Sequence, residues 1–438
     1  MKIKKLSIAI IAVAVISVIV LVSFALTSQF LSAGRNSSEK VIYFADHISD
    51  AHRKLINRFN ELHKGRIRVE AIDLSFNKFS TNERKELLVR YLRSKSDRVD
   101  IFAVDQIWVP RFVKWSLNLD NYLDKSYKEN LLEQAKQTCV VNDSLMALPL
   151  YLDLAVLIYR TDLIRALPEG KAIEKQLQEG ITWEQLLSLQ SQFPNRPLFI
   201  YQADDYEGLM CQFTELMSSY GQPMATADSL YINSPEAIKA ATFLRNLVHS
   251  YKASPISVLE MKENDSYLEF TKSGAPFVRG WPSSVDSDNP AFFEFRKDRG
   301  DVVAVGPTPY PAGNKKQSVF GGWNLILSKY SRNIPESVEF LKFVMSDEAQ
   351  KILFEEGKFI PVSKSVFADQ EFVRSNPMLT FYKEQLERGF HRPFFEFYTT
   401  ISDVIAYYLN AIINNEYTPE QGLRLAEQSI KSQGIFLK

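Results

Sequence analysis

Residues 148–163 read LPLYLDLAVLIYRTDL. A tyrosine and a carboxylate, Tyr151 and Asp153, stand two positions apart, just ahead of an apolar run, Leu154 to Tyr159, long enough for one buried strand. Alternation along an extended backbone puts both side chains on one face. An aromatic plate beside an acid at the mouth of a strand suits a polyol ligand better than a bond-breaking reaction.

Upstream, the pattern predicts a strand at Val41–Phe44, then a helix that Ser49 can cap, with Leu55, Ile56, Phe59 and Leu62 on one face. A strand at Ile67–Ile72 completes a β-α-β unit, which implies a parallel sheet. A helix over Glu83–Arg93 then leads to a strand, Val99–Val104, that ends at Asp105. Ligands of such sheets bind beyond the carboxyl ends of the strands. Phe44-Ala45-Asp46-His47 and Asp105-Gln106-Ile107-Trp108 occupy such places. Downstream, Thr182/Gln185 and Thr418/Gln421 form capping boxes, and Ser234-Pro235 and Ile334-Pro335 place proline at the first helical position. A helix is expected over Asp347–Glu356, stopping at Gly357. Strands are expected at Ala275–Arg279, Asp301–Val305 and Val319–Leu327.

A chain of 438 residues is too long for one simple core, so two domains are expected. Basic and acidic residues number 52 each. Five basic residues and one acid fall within residues 1–40, which leaves the rest at −4 and without an electrostatic footprint for nucleic acid. The two cysteines, Cys139 and Cys211, allow one disulfide or two buried thiols. Lys2, Lys4 and Lys5 precede an uncharged run, Leu6–Leu26, whose 21 residues match a bilayer core as a helix. The basic flank predicts an internal N-terminus and an exported body. An uncleaved single-pass anchor is expected, with a cleaved signal peptide as the competitor. Residues 27–40 read as a polar tether.

Signatures of catalysis are few. The chain has no G-x-S-x-G elbow, P-loop, H-E-x-x-H or C-x-x-C, and only 17 glycines. No metal or other cofactor is expected. His47 and His52 flank Asp50, an arrangement that fits a helix cap and a solvated face better than a metal site. Asp105 and Asp153 are the acid pair that a glycosidase would need. Trp281, in FVRGWPSS, and Trp323, in VFGGWNLIL, follow glycines that let the backbone bend and present the ring to a cleft. Trp115 and Trp183 lack that context, and Trp108 is intermediate. Aromatic faces cover the C–H faces of a sugar ring, and carboxylates accept hydrogen bonds from its hydroxyls. Tyr310, in the turn-rich GPTPYPAG, is a further candidate.

Together, DIFAVDQIWVPRFV (100–113), LPLYLDLAVLIYRTDL, FVRGWPSS and the block SVFGGWNLIL from Ser318 resemble the extracellular solute-binding proteins of ABC importers. The resemblance is to the carbohydrate-binding family that includes maltose- and trehalose-binding proteins. It implies an α/β, two-lobed periplasmic-binding-protein-like fold with hinge-crossing strands, behind the N-terminal transmembrane helix or signal. The lobes would be 41–152 with 323–385, and 153–322 with 386–438, crossing near Leu152–Ala155 and Phe320–Trp323. It further implies sugar contacts at Asp105, Tyr151, Asp153, Trp281, Gly322, Trp323 and Arg392, with Asp50 as the acid near the first helix and His47 beside it. The expected partners are a carbohydrate and the permease subunits of an ABC importer, and the expected state is a monomer. A sensing subunit for a transmembrane kinase would share the same fold and site.

Overall fold

The computed structural model describes residues 39–434 apart from 76–77, 80, 227 and 286–288. The apolar run at Leu6–Leu26 lies outside them, and among the described residues no helix is long and apolar enough to cross a membrane.

Strand β1 (Lys40–Asp46), helix α1 (Asp50–Leu62) and strand β2 (Ile67–Asp73) form the expected unit, with β1 and β2 parallel. Ser49 caps α1 by accepting a hydrogen bond from the His52 amide, and Leu55, Ile56 and Phe59 are buried. Leu62 is half exposed, one position beyond the buried stripe. Helix α2 (Thr81–Arg93) leads to β3 (Ile101–Asp105), parallel to β1. A connecting region ends in β4 (Leu148–Leu154), and β5 (Val156–Arg160) follows after a single residue. Then come β6 (Phe199–Ile200), α3 (Glu207–Ser219), α4 (Pro235–His249), α5 (Glu263–Ser273), β7 (Phe277–Gly280), β8 (Val303–Pro307) and β9 (Ser318–Leu327). The chain closes with α6 (Ile334–Val344), α7 (Asp347–Gly357), β10 (Gly389–Phe390), α8 (Tyr398–Ile413) and α9 (Pro419–Ser432).

These strands make two principal sheets. One has the order β10-β9-β3-β1-β2, with β4 also paired to β9; the other has the order β8-β5-β7-β6. The apolar run after Asp153 is therefore not one strand, as the sequence suggested. It breaks at Ala155, and the two halves enter different sheets. Apolarity continues across the break because both sheets are buried there. At the break the Ala155 amide donates to the Val319 carbonyl, so the start of β9 lies beside it.

Pairing of β9 with β4 is irregular. Trp323 faces Tyr151, but the next residue, Asn324, faces Pro149, so Leu150 is an extra residue in β4. Gln350 Nε2 donates to the Leu150 carbonyl at 3.2 Å, satisfying a buried acceptor. Gly322 has φ +127°, and a Cβ there would lie 2.5 Å from the Tyr151 carbonyl oxygen. Only glycine permits this approach.

Both capping boxes form. Proline opens α4 as expected, whereas α6 begins at Ile334, one residue before its proline. Helix α7 includes Gly357, and the left-handed residue that ends it is Lys358. Cys139 and Cys211 are buried free thiols.

Candidate functional site

A cleft with a cavity volume of about 530 Å³ lies between the sheets. Its wall contains His47, Asp105, Tyr151, Asp153, Trp281, Gly322, Trp323 and Arg392 from the expected set. Three expected residues are elsewhere. Tyr310 pairs its backbone with Ile181 and Trp183, and Lys316 lies over its ring. Its turn-rich segment is read correctly, but that turn packs against the start of a helix. Trp108 is buried with its edge toward Trp323, ring centroids 6.0 Å apart, so it stands behind a wall residue. Asp50 is exposed in the first turn of α1 and binds Arg53 through Nε at 2.7 Å, a local pair.

The parallel strands deliver their carboxyl ends to the cleft as expected. Asp105 ends β3 and accepts from the Ile107 amide at 3.2 Å. Register on β9 brings Trp323 opposite both Asp105 and Tyr151, and Gly321 opposite Asp153. One glycine-rich strand thus sets three candidates from two neighbours beside its own Trp323.

Asp105 and Arg392 are joined. The Arg392 guanidinium donates to both Asp105 oxygens, at 2.9 and 3.1 Å, and to Glu207 at 2.5 Å. The Tyr398 hydroxyl donates to the same Glu207 oxygen at 2.5 Å. Burial raises the pKa of Asp105, and Arg392 opposes that rise. The fork holds the Asp105 carboxylate in one place and orientation.

Asp153 is stabilised differently. It accepts from its neighbour's amide, Leu154 N, at 3.0 Å and from the Ser283 hydroxyl. Burial dominates and lifts its pKa to about 7, against the lowering effect of those two donors. Tyr151 is buried, with its ring centroid 4.1 Å from that of Phe359. Behind His47, the His52 ring is buried beside Asp46, and burial lowers the two imidazoles to about 4 and 3 respectively. Both are therefore neutral near pH 7.

Several wall residues carry no sequence signal of their role. Glu207 and Glu263 are the first residues of α3 and α5, where an acid reads as ordinary helix-dipole complementarity. Ser283 and Phe359 lie in connecting segments. At the start of α3, a Cβ on Gly208 would fall 2.2 Å from the Tyr206 hydroxyl oxygen, so the tyrosine packs directly on this glycine.

A sequence profile of the bacterial extracellular solute-binding proteins matches residues 45–351, more than half of the chain. The chain belongs to this family. A probable ABC transporter-binding protein of Deinococcus radiodurans is 22% identical over 357 residues, covering 79% of this chain and 83% of the relative. A maltose-bound MalE3 of T. maritima superposes with a TM-score of 0.77 at 27% identity, covering 90% of this chain and 99% of that one. The GacH receptor of Streptomyces glaucescens, solved unliganded and with acarbose, superposes with a TM-score of 0.76 at 18% identity, covering 90% of this chain and 98% of that one. The fold of this solute-binding protein is thus the mixed α/β, two-lobed one, and family membership places its body outside the cytoplasm. Its family binds solutes, and its cleft holds acids and aromatic rings.

Proposed function

We propose that this solute-binding protein captures a sugar, of di- or oligosaccharide size, for an ABC importer. The observation that carries the reading is one cleft wall that combines Tyr151, Trp281 and Trp323 with the carboxylates of Asp105 and Asp153. Rings cover C–H faces, and the acids accept hydroxyl donors. The lobes would be 41–152 with 323–385 and 153–322 with 386–438, and ligand contacts to both would bias hinge closure. Closure would desolvate the sugar and form the surface read by the permease. The Leu6–Leu26 run would anchor the body to the membrane as a monomer near its transporter. The MalE3 and GacH structures, solved with maltose and with acarbose, support a saccharide ligand.

The test is calorimetric titration of the full chain, in a detergent without a sugar headgroup, with mono-, di- and oligosaccharides. Binding is expected for at least one. Tyr151→Ala or Trp281→Ala should weaken it by about tenfold or more, as loss of a buried aromatic anchor does. No binding by the parent, or unchanged affinity in both variants, would overturn the proposal.

A further inference from the structure

Each of the two cleft tryptophans rests against a buried guanidinium. Arg84 lies over the Trp323 ring, 4.0 Å from its centroid, and Arg279 lies over the Trp281 ring at 4.8 Å. Both arginines are almost wholly buried, and neither lines the cleft. Each is fixed by a buried carboxylate from another element. Arg84 donates to Asp46, the last residue of β1, at 2.5 Å. Arg279 donates to Glu215 of α3 at 3.3 Å and to Gln202 at 3.4 Å. Glu215 in turn accepts from the Val319 amide at the start of β9.

The chemistry of guanidinium explains the arrangement. Its N–H groups point outward in the plane and bind carboxylates at the edge, while its weakly hydrated faces are free to stack on an aromatic ring. An ammonium can pair with a carboxylate beside a ring but has no planar face to lay against it. A charge buried this deeply is tolerated only with a partner, which Asp46 and Glu215 supply. The same device therefore occurs twice, on unrelated segments of chain, and each time behind an indole of the cleft wall.

We infer that Arg84 and Arg279 are positioning residues, which hold Trp323 and Trp281 at fixed tilt before ligand arrives. This deepens the sugar-binding reading and rests on it for its purpose. A stacking plate gains affinity from being set in advance, because less side-chain freedom remains to be lost on binding. Gly321 contributes the remaining space for one plate: a Cβ there would fall 2.7 Å from Trp281 Cζ3.

The full chain carrying 5-fluorotryptophan tests the inference by fluorine NMR without any ligand, with resonances assigned from single Trp→Phe variants. Arg279→Lys keeps a cation beside Glu215 but removes the planar face. It should shift or broaden the Trp281 resonance and leave that of Trp115, which packs on Phe112 and Lys114, in place. Arg84→Lys should do the same to Trp323. Unmoved plate resonances, or equal movement of all five tryptophans, would overturn it. Maltose, maltotetraose and α-D-tagatose are then titrated. Arg279→Lys should weaken whichever binds by about fivefold, and should cost nothing further in a Trp281→Leu background. A loss that persists in that background would show that Arg279 acts otherwise than through the ring. If none of the three sugars binds the parent, the sugar-binding reading loses support while the fluorine spectra still decide the role of the arginines.

Discussion

Asp105 and Asp153 are both buried, both at the ends of strands, and both in the wall of one cleft, yet the protein stabilises them by opposite means. Asp105 meets a cation: Arg392 grips both of its oxygens and bridges onward to Glu207. Asp153 is hydrogen-bonded by neutral donors, the Leu154 amide and the Ser283 hydroxyl, and feels the Arg279 cation only as a weaker charge attraction. The first solution fixes charge and geometry together. The second leaves the charge itself variable, and burial carries the Asp153 pKa to about 7. A cleft with one acid of each kind has a permanent ionic tie and a carboxyl that remains able to gain or lose a proton.

The contrast breaks most severely at Arg392. Arg392→Met strands Asp105 and Glu207 as buried carboxylates without their cation, and should cost about 3–5 kcal/mol of stability. A denaturant midpoint equal to the parent's would sink the idea of an ionic tie. Asp153→Asn probes the other side. Between the usual 3.8 and about 7, the folded protein keeps a proton on Asp153 that the unfolded chain has lost. Stability attributable to this group therefore falls as pH rises through that window, by a few kcal/mol in all. Melting curves collected across it should show a flatter pH dependence in Asp153→Asn than in the parent; identical slopes would count against a displaced pKa. Gly322→Ala disturbs the strand between the two acids. A φ of +127° and a carbonyl 2.5 Å from the new methyl predict a loss of about 2 kcal/mol, read from the same melts. The smallest effect belongs to Ser283→Ala. Loss of one hydrogen bond to a carboxylate should cost about 1 kcal/mol and push the Asp153 titration higher. Carboxyl chemical shifts followed by NMR would detect that displacement, and a titration that moved lower would contradict it.

The features legible in sequence were those whose signal is local. The parallel unit at the start of the body follows from periodicity, and Trp281 and Trp323 stand out because glycines precede them. Tyr151 and Asp153 share a face because strands alternate. Pairings between distant segments were not legible. Nothing near Arg392 announces that Asp105, nearly three hundred positions earlier, would occupy it. Nothing near Trp323 announces Arg84, whose helix reads as an ordinary amphipathic one. The break at Ala155 is silent for a related reason: burial on both sides demands apolar residues throughout, so composition does not change where the sheet does. Tyr310 shows the converse error, since a turn-rich context marks a loop without saying which surface that loop joins.

The extra residue in β4 acts as a shift of phase. Had pairing continued evenly from Leu148 opposite Leu325, Leu150 would stand opposite Trp323 and Tyr151 opposite Gly322. Two leucines would then face the cleft, and the tyrosine and the aspartate would face away. The irregularity between Trp323 and Asn324, with Gln350 closing the carbonyl it frees, is what turns the ring and the acid toward solvent space. In this strand the spacing of residues carries as much information as their identity: one more residue inserted between Pro149 and Tyr151 would leave every cleft side chain in the gene and reverse the side on which two of them appear.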